Sequence, residues 1–410
     1  MAVQDLAAGP GDDVLARVVD RFLADHGDEL VAIRRRIHAH PEPSWHEQAT
    51  TALVAERLAA AGLSPRVLAG GTGLVCDVGP AGADGPTVVL RADLDALCLE
   101  DTKDVPYRST VPGVCHACGH DVHTTSLLGA GLVLDRALAE TGGGRVRLVF
   151  QPAEEALPGG ATAAVAAGVL EGASAIFALH CDPGLDAGRV GVKAGCITSA
   201  CDLVVVRLHG PGGHTARPHL TADLVHVAAR IVTDVTAGMG RLIDVRSGVS
   251  VVWGAIHAGG APNVIPNAAE VAGTIRCMTR EAWEAVPAIV RRLLDAVVLP
   301  LGATYDLDYT RGSPPVDNDP SATRLVANAV SAALGPDAVA EAVQSVGAED
   351  FSWYLDHVPG SFARLGVRPP GTVEAPDLHT SAFDVDERAI GVAVRTLTRV
   401  AVEALAAYRS

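Results

Sequence analysis

The sequence predicts an α/β protein whose catalytic domain is interrupted by a smaller inserted domain of ferredoxin-like α+β type. Three observations carry this reading. Over the first 190 or so residues, short apolar runs bounded by turn residues alternate with helical patterns, as expected of a sheet covered on both faces. Near residue 190 the pattern changes to strand, helix, strand, strand, helix, strand, a βαββαβ order that can close into a compact unit. Beyond a linker-like "RGSPPVDNDP", helix, strand and loop signals resume to the C-terminus. The expected boundaries are 1–192 and 313–410 for the two parts of the catalytic domain and 193–312 for the insert.

Taken in order, "SWHE" at Ser44–Glu47 reads as a capping box opening a helix that runs to a C-terminal Gly62. "LVCDVGP" and "TVVLRAD" read as strands joined by a Gly/Pro/Asp turn. After "CHACGHD" an apolar helical stretch extends from about Val122 to Leu138. "RVRLVFQP" and "ASAIFALHC" are apolar runs of the length of buried strands. In the insert, strands are expected at 201–209, 248–257, 269–278 and 303–310, with helices at 221–237 and 280–297. No internal repeat or low-complexity tract interrupts this order.

Composition narrows the function. The chain has 410 residues, 49% hydrophobic and 20% charged, which is the composition of a folded globular protein. A formal net charge of −16 and the absence of any basic run beyond Arg34–Arg36 argue against a nucleic-acid partner. Apolar runs such as "LLGAGLVL" are too short to span a bilayer, so no membrane partner is expected. "MAVQDLAAGPGDD" has neither a basic nor an apolar leader segment, and a cytoplasmic location is expected. Eight cysteines in a chain of this length are no disulfide framework. Cys76, Cys98, Cys181, Cys196, Cys201 and Cys277 read as small buried hydrophobes.

Candidate chemistry gathers at four points that follow predicted strands or precede a helix. These are "CHACGHD" at 115–121, "QPAEE" at 151–155, "LH" at 179–180 and "DLH" at 377–379. Loops at the carboxyl ends of strands are where open α/β sheets hold their ligands. A lone histidine there is usually structural, but four such points in one chain favour a metal hydrolase. Cys115 and Cys118 also have the C-x-x-C spacing of half a structural zinc site, although no second such pair follows.

The motifs "LRADLDAL", "CHACGHDVHT", "QPAEE", "ALH", "GPGGHTARPH", "APNVIPN", "GTIR", "GAEDF" and "LHTSAFDVDE" occur in this order over nearly the whole chain. Together they resemble the amidohydrolase branch of the aminoacylase/carboxypeptidase metallopeptidase family. That branch includes hippurate hydrolases and hydrolases of indoleacetyl-amino acids. The resemblance implies a zinc-peptidase-like catalytic domain with an inserted ferredoxin-like dimerisation or lid domain. It implies Cys118, His120, Glu155, His180 and His379 as metal ligands and Glu154 as general base, with Cys115 and His116 as bystanders. One or two divalent ions per subunit are expected, zinc or manganese foremost and cobalt or nickel also compatible with the donor mixture. Asp93 and Asp95 would orient the imidazoles, and Asp121 would cap the following helix or support a ligand. Glu349 and Asp350 would lie near the site, with Phe351, Trp353 and Tyr354 lining its pocket.

In the insert, the resemblance makes His214 the group that stabilises the oxyanion, and gives the substrate carboxylate to Asn263 and Arg276. Without it, Arg276 would read as a strand-surface arginine. His219, His226 and His257 read as structural. An uncovered edge strand in a βαββαβ sheet invites pairing with a second copy. A homodimer through the insert is therefore expected, and the resemblance implies that His214 serves the partner's site. The implied substrate is a small N-acyl-amino acid. An exopeptidase is the runner-up, and an inactive binding protein on the same fold is the alternative of another class.

Overall fold

A computed structural model describes residues 10–80, 85–141, 144–157 and 159–409. Part of the expected Gly/Pro/Asp turn, residues 81–84, and most of the N-terminal segment lie outside the described residues. The chain forms two compact units. The first comprises Met1–Gly195, Asn318–Val343 and Trp353–Ser410, and the second Cys196–Asp317 and Gln344–Ser352.

The first unit is built on an eight-stranded mixed sheet. Its spatial order is Arg66–Val67, Leu74–Val78, Arg145–Gln151, Thr87–Asp93, Ala173–Asp186, Gly360–Arg368, Val190–Val192, Val339–Glu341. The central four strands run parallel. All seven residues of Thr87–Asp93 are buried, which explains why "TVVLRAD" reads as a continuous run: both faces of the strand are covered. Helix His120–Thr141 brings Leu127, Leu128 and Leu134 to a core shared with Leu90, Leu148 and Phe177 of the sheet. Each such side chain stabilises the fold by roughly 1.5–3 kcal/mol. Asp93 and Gln151 stand opposite each other at the last rungs of their strands. The loops that follow, with their candidate ligands, therefore leave the sheet side by side.

Two expectations for this unit, and one for the cysteines of both units, are corrected. The capping box does not form: helix Gln48–Ala60 has Glu47 at its N-cap without a side-chain capping bond, and Ser44 Oγ donates instead to Asp95 Oδ2 at 2.7 Å. Among the described residues, Asp121 is bonded neither to its helix start nor to a candidate ligand side chain. It is fully buried and accepts from Arg34 Nε at 2.7 Å, with His38 Nδ1 also at 2.7 Å. Arg34 reaches Asp384 and Glu387 as well, both at 3.2 Å, and packs on the Tyr107 ring. Removing one partner from a buried pair of this kind costs about 3–5 kcal/mol, more than deleting one average core contact. Among the cysteines, Cys98 is exposed and Cys196 and Cys201 are only half-buried, while Cys76, Cys181 and Cys277 are buried.

The second unit has a four-stranded antiparallel sheet in the order Ser250–Ala258, Ala268–Cys277, Ala200–His209, Thr304–Thr310. Numbered along the chain this is 2-3-1-4, the ferredoxin-like order. Burial alternates along Ala200–His209 and Thr304–Thr310, so this sheet has one packed face and one open face. The helix expected at 221–237 begins at Leu224, because Asp223 accepts from the amides of Val225 and His226 and Pro218–Leu220 forms a separate turn. It continues through a π turn at Ile231–Val235 to Leu242. Gly238 and Gly240 weaken the helical signal over that last stretch. Among the described residues, no helix is long and apolar enough to cross a membrane.

Candidate metal centre

The centre grows from the N-terminus of helix His120–Thr141. Gly119 precedes it at φ 86°, and a Cβ there would meet Cys181 Sγ at 2.7 Å, so the turn that presents Cys118 and His120 requires glycine. His120 Nδ1 lies 3.3 Å from Asp95 Oδ1, which holds the ring proton on that side and turns Nε2 inward. This Nε2 is buried and has no hydrogen-bond partner among the described residues. It stands 3.8 Å from Asp93 Oδ2, 4.0 Å from Glu154 Oε2 and 3.9 Å from Glu155 Oε1. These separations are too long for hydrogen bonds. They leave an imidazole nitrogen facing carboxylate oxygens across a gap, an arrangement of ligand atoms that suits a divalent cation.

His180, on strand Ala173–Asp186, uses Nδ1 to donate to its neighbour's carbonyl, Cys181 O, at 2.7 Å, so Nε2 is free to face Cys118 Sγ at 3.4 Å. His379 Nε2 is 3.2 Å from Glu155 Oε1, and its backbone N–H donates to Ala117 O at 2.8 Å. Three sets result, each with ligand atoms within 4.8 Å of one another: Cys118, His120 and His180; Cys118, Glu155 and His379; His120, Glu154 and Glu155. They share Cys118, His120 and Glu155, so all five expected ligands and Glu154 meet in one place. Cys115 and His116 belong to none of these sets. A fourth set, Asp93, His120 and His123, is of another kind. His123 Nδ1 is 2.6 Å from Asp93 Oδ1 and its Nε2 accepts from Cys181 N at 2.8 Å, so both nitrogens are engaged.

The electrostatics agree. Burial alone would lower His120, but Asp93, Asp95 and Glu155 outweigh it and push it up to about 10. Burial, with the carboxylates of Glu155 and Glu154, pushes the Cys118 thiol well above its ordinary value. Burial and neighbouring His123 hold His180 well below its own, and therefore neutral. A cation at the centre would displace the protons on Cys118 and His120, because metal ligands bind deprotonated.

The loop carrying Glu154 and Glu155 hangs on two carboxylates. Asp95 accepts from Glu154 N at 3.1 Å and Glu155 N at 2.9 Å. Glu47 Oε1 accepts from Ala153 N at 2.8 Å and Trp45 N at 3.0 Å. Among the described residues, the non-glycine positions with positive φ are Trp45 (68°), Ala153 (54°) and His379 (61°). All three belong to segments of this centre, where backbone strain tends to concentrate.

Glu47 and His123 were not singled out from the sequence. His123 could have been, since it lies three residues after His120 on one helical face. Glu47 was masked by its capping-box spacing. The expected aromatic lining is corrected in part: Phe351 and Tyr354 are fully buried, and Tyr354 OH donates to Gln151 Oε1 at 2.9 Å. Glu349 and Asp350 are buried in the second unit, where Glu349 Oε1 accepts from Phe351 N at 2.9 Å.

In the second unit, His214 is exposed on a two-residue strand, Gly213–His214, paired with Val264–Ile265. Its Nδ1 accepts from Ala216 N at 3.0 Å, so a neutral ring carries its proton on Nε2. Asn263 adjoins it, its carbonyl accepting from Thr215 N at 3.3 Å. Arg276 is elsewhere. It is half-buried, donates from Nη1 to Val346 O at 2.6 Å, and stands opposite Cys201 at one end of strand Ala268–Cys277. His209 stands opposite Ala268 at the other end, from which the chain leads on to His214. At strand rise those ends are about 27 Å apart. Arg276 thus sits at the strand end away from the segment that carries His214 and Asn263. His219, His226 and His257 are exposed and do not contribute to a core.

Peptidase family M20/M25/M40 matches residues 89–403. The chain belongs to this family. It is 49% identical over 369 residues to a Rhodococcus jostii protein that carries a glutamate–cysteine ligase name, a match covering 90% of this chain but only 46% of that longer protein. It is 36% identical to a Bacillus subtilis N-acetylcysteine deacetylase, over 91% of this chain and 96% of that protein. A crystal structure of the Bacillus subtilis YXEP protein, a dinuclear metal binding peptidase of the M20 family, superimposes with a TM-score of 0.81 at 33% identity, covering 94% of this chain and 99% of that one. As a member, this chain is a hydrolase of amide bonds that works with divalent metal.

Proposed function

We propose that this M20 hydrolase cleaves the amide bond of N-acyl-amino acids, releasing a carboxylic acid and a free amino acid. The observation that carries the reading is the buried His120 Nε2, without a hydrogen-bond partner among the described residues and facing three carboxylates, with Cys118, His180 and His379 around it. Cys118, His120, Glu155, His180 and His379 would hold one or two divalent ions, zinc or manganese suiting the mixed sulfur, nitrogen and oxygen donors. A divalent ion there supplies Lewis acidity, polarising the amide carbonyl and making a water more acidic. Glu154 takes the proton of the attacking water and passes it to the departing nitrogen. Its position next to a ligand on a loop fixed at three successive amides suits that task. His214, with its proton on Nε2, donates to the developing oxyanion. The named activity of the Bacillus subtilis deacetylase supports the substrate class.

The separation of Asn263 and Arg276 bears on assembly. If both hold the amino acid's carboxylate, they come from different subunits, with Arg276 from one and His214 and Asn263 from its partner. A two-fold dimer through the second unit meets this requirement and uses an edge strand of its open sheet, either Ser250–Ala258 or Thr304–Thr310. We place the enzyme in the cytoplasm, where eight cysteines outside any disulfide and a thiolate ligand stay reduced.

The decisive experiment removes metal with a chelator, restores zinc or manganese, and measures hydrolysis of acetyl, benzoyl, long-chain and indoleacetyl amino acids beside dipeptides with free amines. Acyl conjugates cleaved only with metal is the expected result. Cleavage of dipeptides alone would make the enzyme an exopeptidase, and metal binding without any turnover would leave a binding protein.

A further inference from the structure

Glu47 is a buried acid that the mechanism above does not use. Its side chain is 0% exposed, and it belongs to the "SWHE" segment, which does not cap its helix. One of its oxygens, Oε1, accepts from two backbone amides at once, Trp45 N at 3.0 Å and Ala153 N at 2.8 Å. Both of those residues have positive φ, 68° and 54°, a conformation that a tryptophan or an alanine seldom adopts unless its surroundings hold it there. Ala153 immediately precedes Glu154. The next two amides, of Glu154 and Glu155, are received by Asp95. Three consecutive N–H groups thus form a concave nest filled by two carboxyl groups, a backbone arrangement that favours negatively charged oxygen. The far side of the loop leaves no slack, because Gly160 N donates to Ala153 O at 2.9 Å and a Cβ on Gly160 would overlap Pro152 O.

We propose that Glu47 is a positioning residue for the general base: by holding the Ala153 amide it fixes the left-handed turn that aims the Glu154 carboxylate. Without that acceptor Ala153 can relax to an ordinary φ, and the rotation is passed to the next residue. Asp95 still anchors the Glu155 amide, so the ligand on the same loop is less affected than the base. The requirement is an acceptor oxygen at this point, not a charge. Glutamine supplies that oxygen, and alanine does not. This inference rests on the reading of Glu154 as the base, and Glu154→Gln is therefore included in the test.

The test compares wild type, Glu47→Gln, Glu47→Ala and Glu154→Gln by two readouts. The first is hydrogen exchange of the segment containing residues 150–156 in the metal-free protein, which needs no turnover. In Glu47→Ala this segment should exchange roughly tenfold faster, and in Glu47→Gln it should match wild type. The second is kinetics with metal content measured. Glu47→Ala should lose kcat by roughly 10–100-fold, with metal retained and KM little changed, because displacing a catalytic group by about 1 Å costs on that scale. Glu47→Gln should keep most of the wild-type kcat. Unchanged exchange in Glu47→Ala, unchanged kcat, or equal damage from Gln and Ala would each overturn the proposal. If Glu47→Ala does not fold, Glu47→Asp takes its place. It keeps a carboxyl but withdraws the oxygen by one methylene, so faster exchange and lower kcat are expected, and wild-type values overturn the role. An active Glu154→Gln would instead refute the assignment of the base and would leave the exchange result standing.

Discussion

The two units hold their chemical groups in opposite ways. In the first, side chains at the metal centre are fixed by a buried partner: His120 by Asp95, His180 by the Cys181 carbonyl, and the Glu154 loop by Asp95 and Glu47. In the second, His214 is exposed with its ring accepting from the Ala216 amide, and Arg276 spends one nitrogen on a backbone carbonyl. The difference follows from the sheets. A parallel sheet covered on both faces buries the carboxyl ends of its strands, where carboxylates and imidazoles can orient one another away from water. An antiparallel sheet with one open face leaves such groups in solvent. The first unit holds its groups preorganised, whereas the second has Arg276 on one strand of its sheet and His214 on a separate two-residue strand.

The sharpest test of preorganisation is at Glu154. Glu154→Gln keeps the size of the side chain and removes its basicity. Turnover should fall by roughly 10²–10⁴-fold while metal content stays at the wild-type level. Loss of metal would mean that the roles of Glu154 and Glu155 are reversed, and that the centre is held together differently from its geometry.

The incompleteness of the second unit can be tested by mixing subunits. Glu154→Gln and His214→Ala are each expected to be nearly inactive as homodimers. If His214 acts on the partner's site, a mixed dimer has one site with both groups intact and one with both lost. Random exchange puts half the dimers in the mixed form, so about a quarter of wild-type activity should return. No recovery, with exchange verified by native mass spectrometry, would mean that His214 serves its own chain.

Much of this was legible in the sequence, and the exceptions have physical causes. The strand order of the second unit and the four ligand-bearing points could be read because each depends on local pattern: period, turn residues, and chemistry at a strand end. Glu47, His123 and Asp121 could not, because their roles depend on partners far along the chain. Glu47 has the spacing of a cap but bonds to Ala153, which lies 106 residues away. Asp121 has the position of a helix-start acid, yet Arg34, 87 residues earlier, claims it. The separation of Arg276 from Asn263 was equally hidden, since thirteen residues in sequence can span a whole strand.

A smaller effect distinguishes the two cysteines of the opening motif. Cys118 faces His180 and shares a set with Glu155 and His379, whereas Cys115 pairs its backbone with Leu97 and belongs to no set. Cys118→Ser should weaken metal binding, because a hydroxyl does not deprotonate at a metal as a thiol does. Cys115→Ser should leave metal content unchanged. Titration calorimetry in buffers of different ionisation enthalpy should also show fewer protons released on metal binding by Cys118→Ser than by wild type. Equal losses from both substitutions would erase the distinction.

The smallest effect is one of stability, and it asks whether the first unit tolerates strain for the sake of its site. Burial pushes the Glu47 carboxyl up to about 7, against the opposing pull of backbone amides that include Ala153 and Trp45. In the unfolded chain the same group returns to about 4.5. Between those values the folded protein keeps a proton that the unfolded chain has released. The unfolded state then binds fewer protons, so this group makes stability fall as pH rises from about 4.5 to about 7, with the full penalty present above that range. Glu47→Gln accepts the same two amides and does not titrate. Relative to wild type, the metal-free variant should therefore gain stability between pH 5 and pH 8, measured as the difference between their denaturant unfolding free energies at the two pH values. Other titrating groups are common to both proteins and cancel in that difference. A flat difference would mean that the Glu47 carboxyl titrates alike in the folded and unfolded chains, and that the loop is held by an ordinary carboxylate at no cost to the fold.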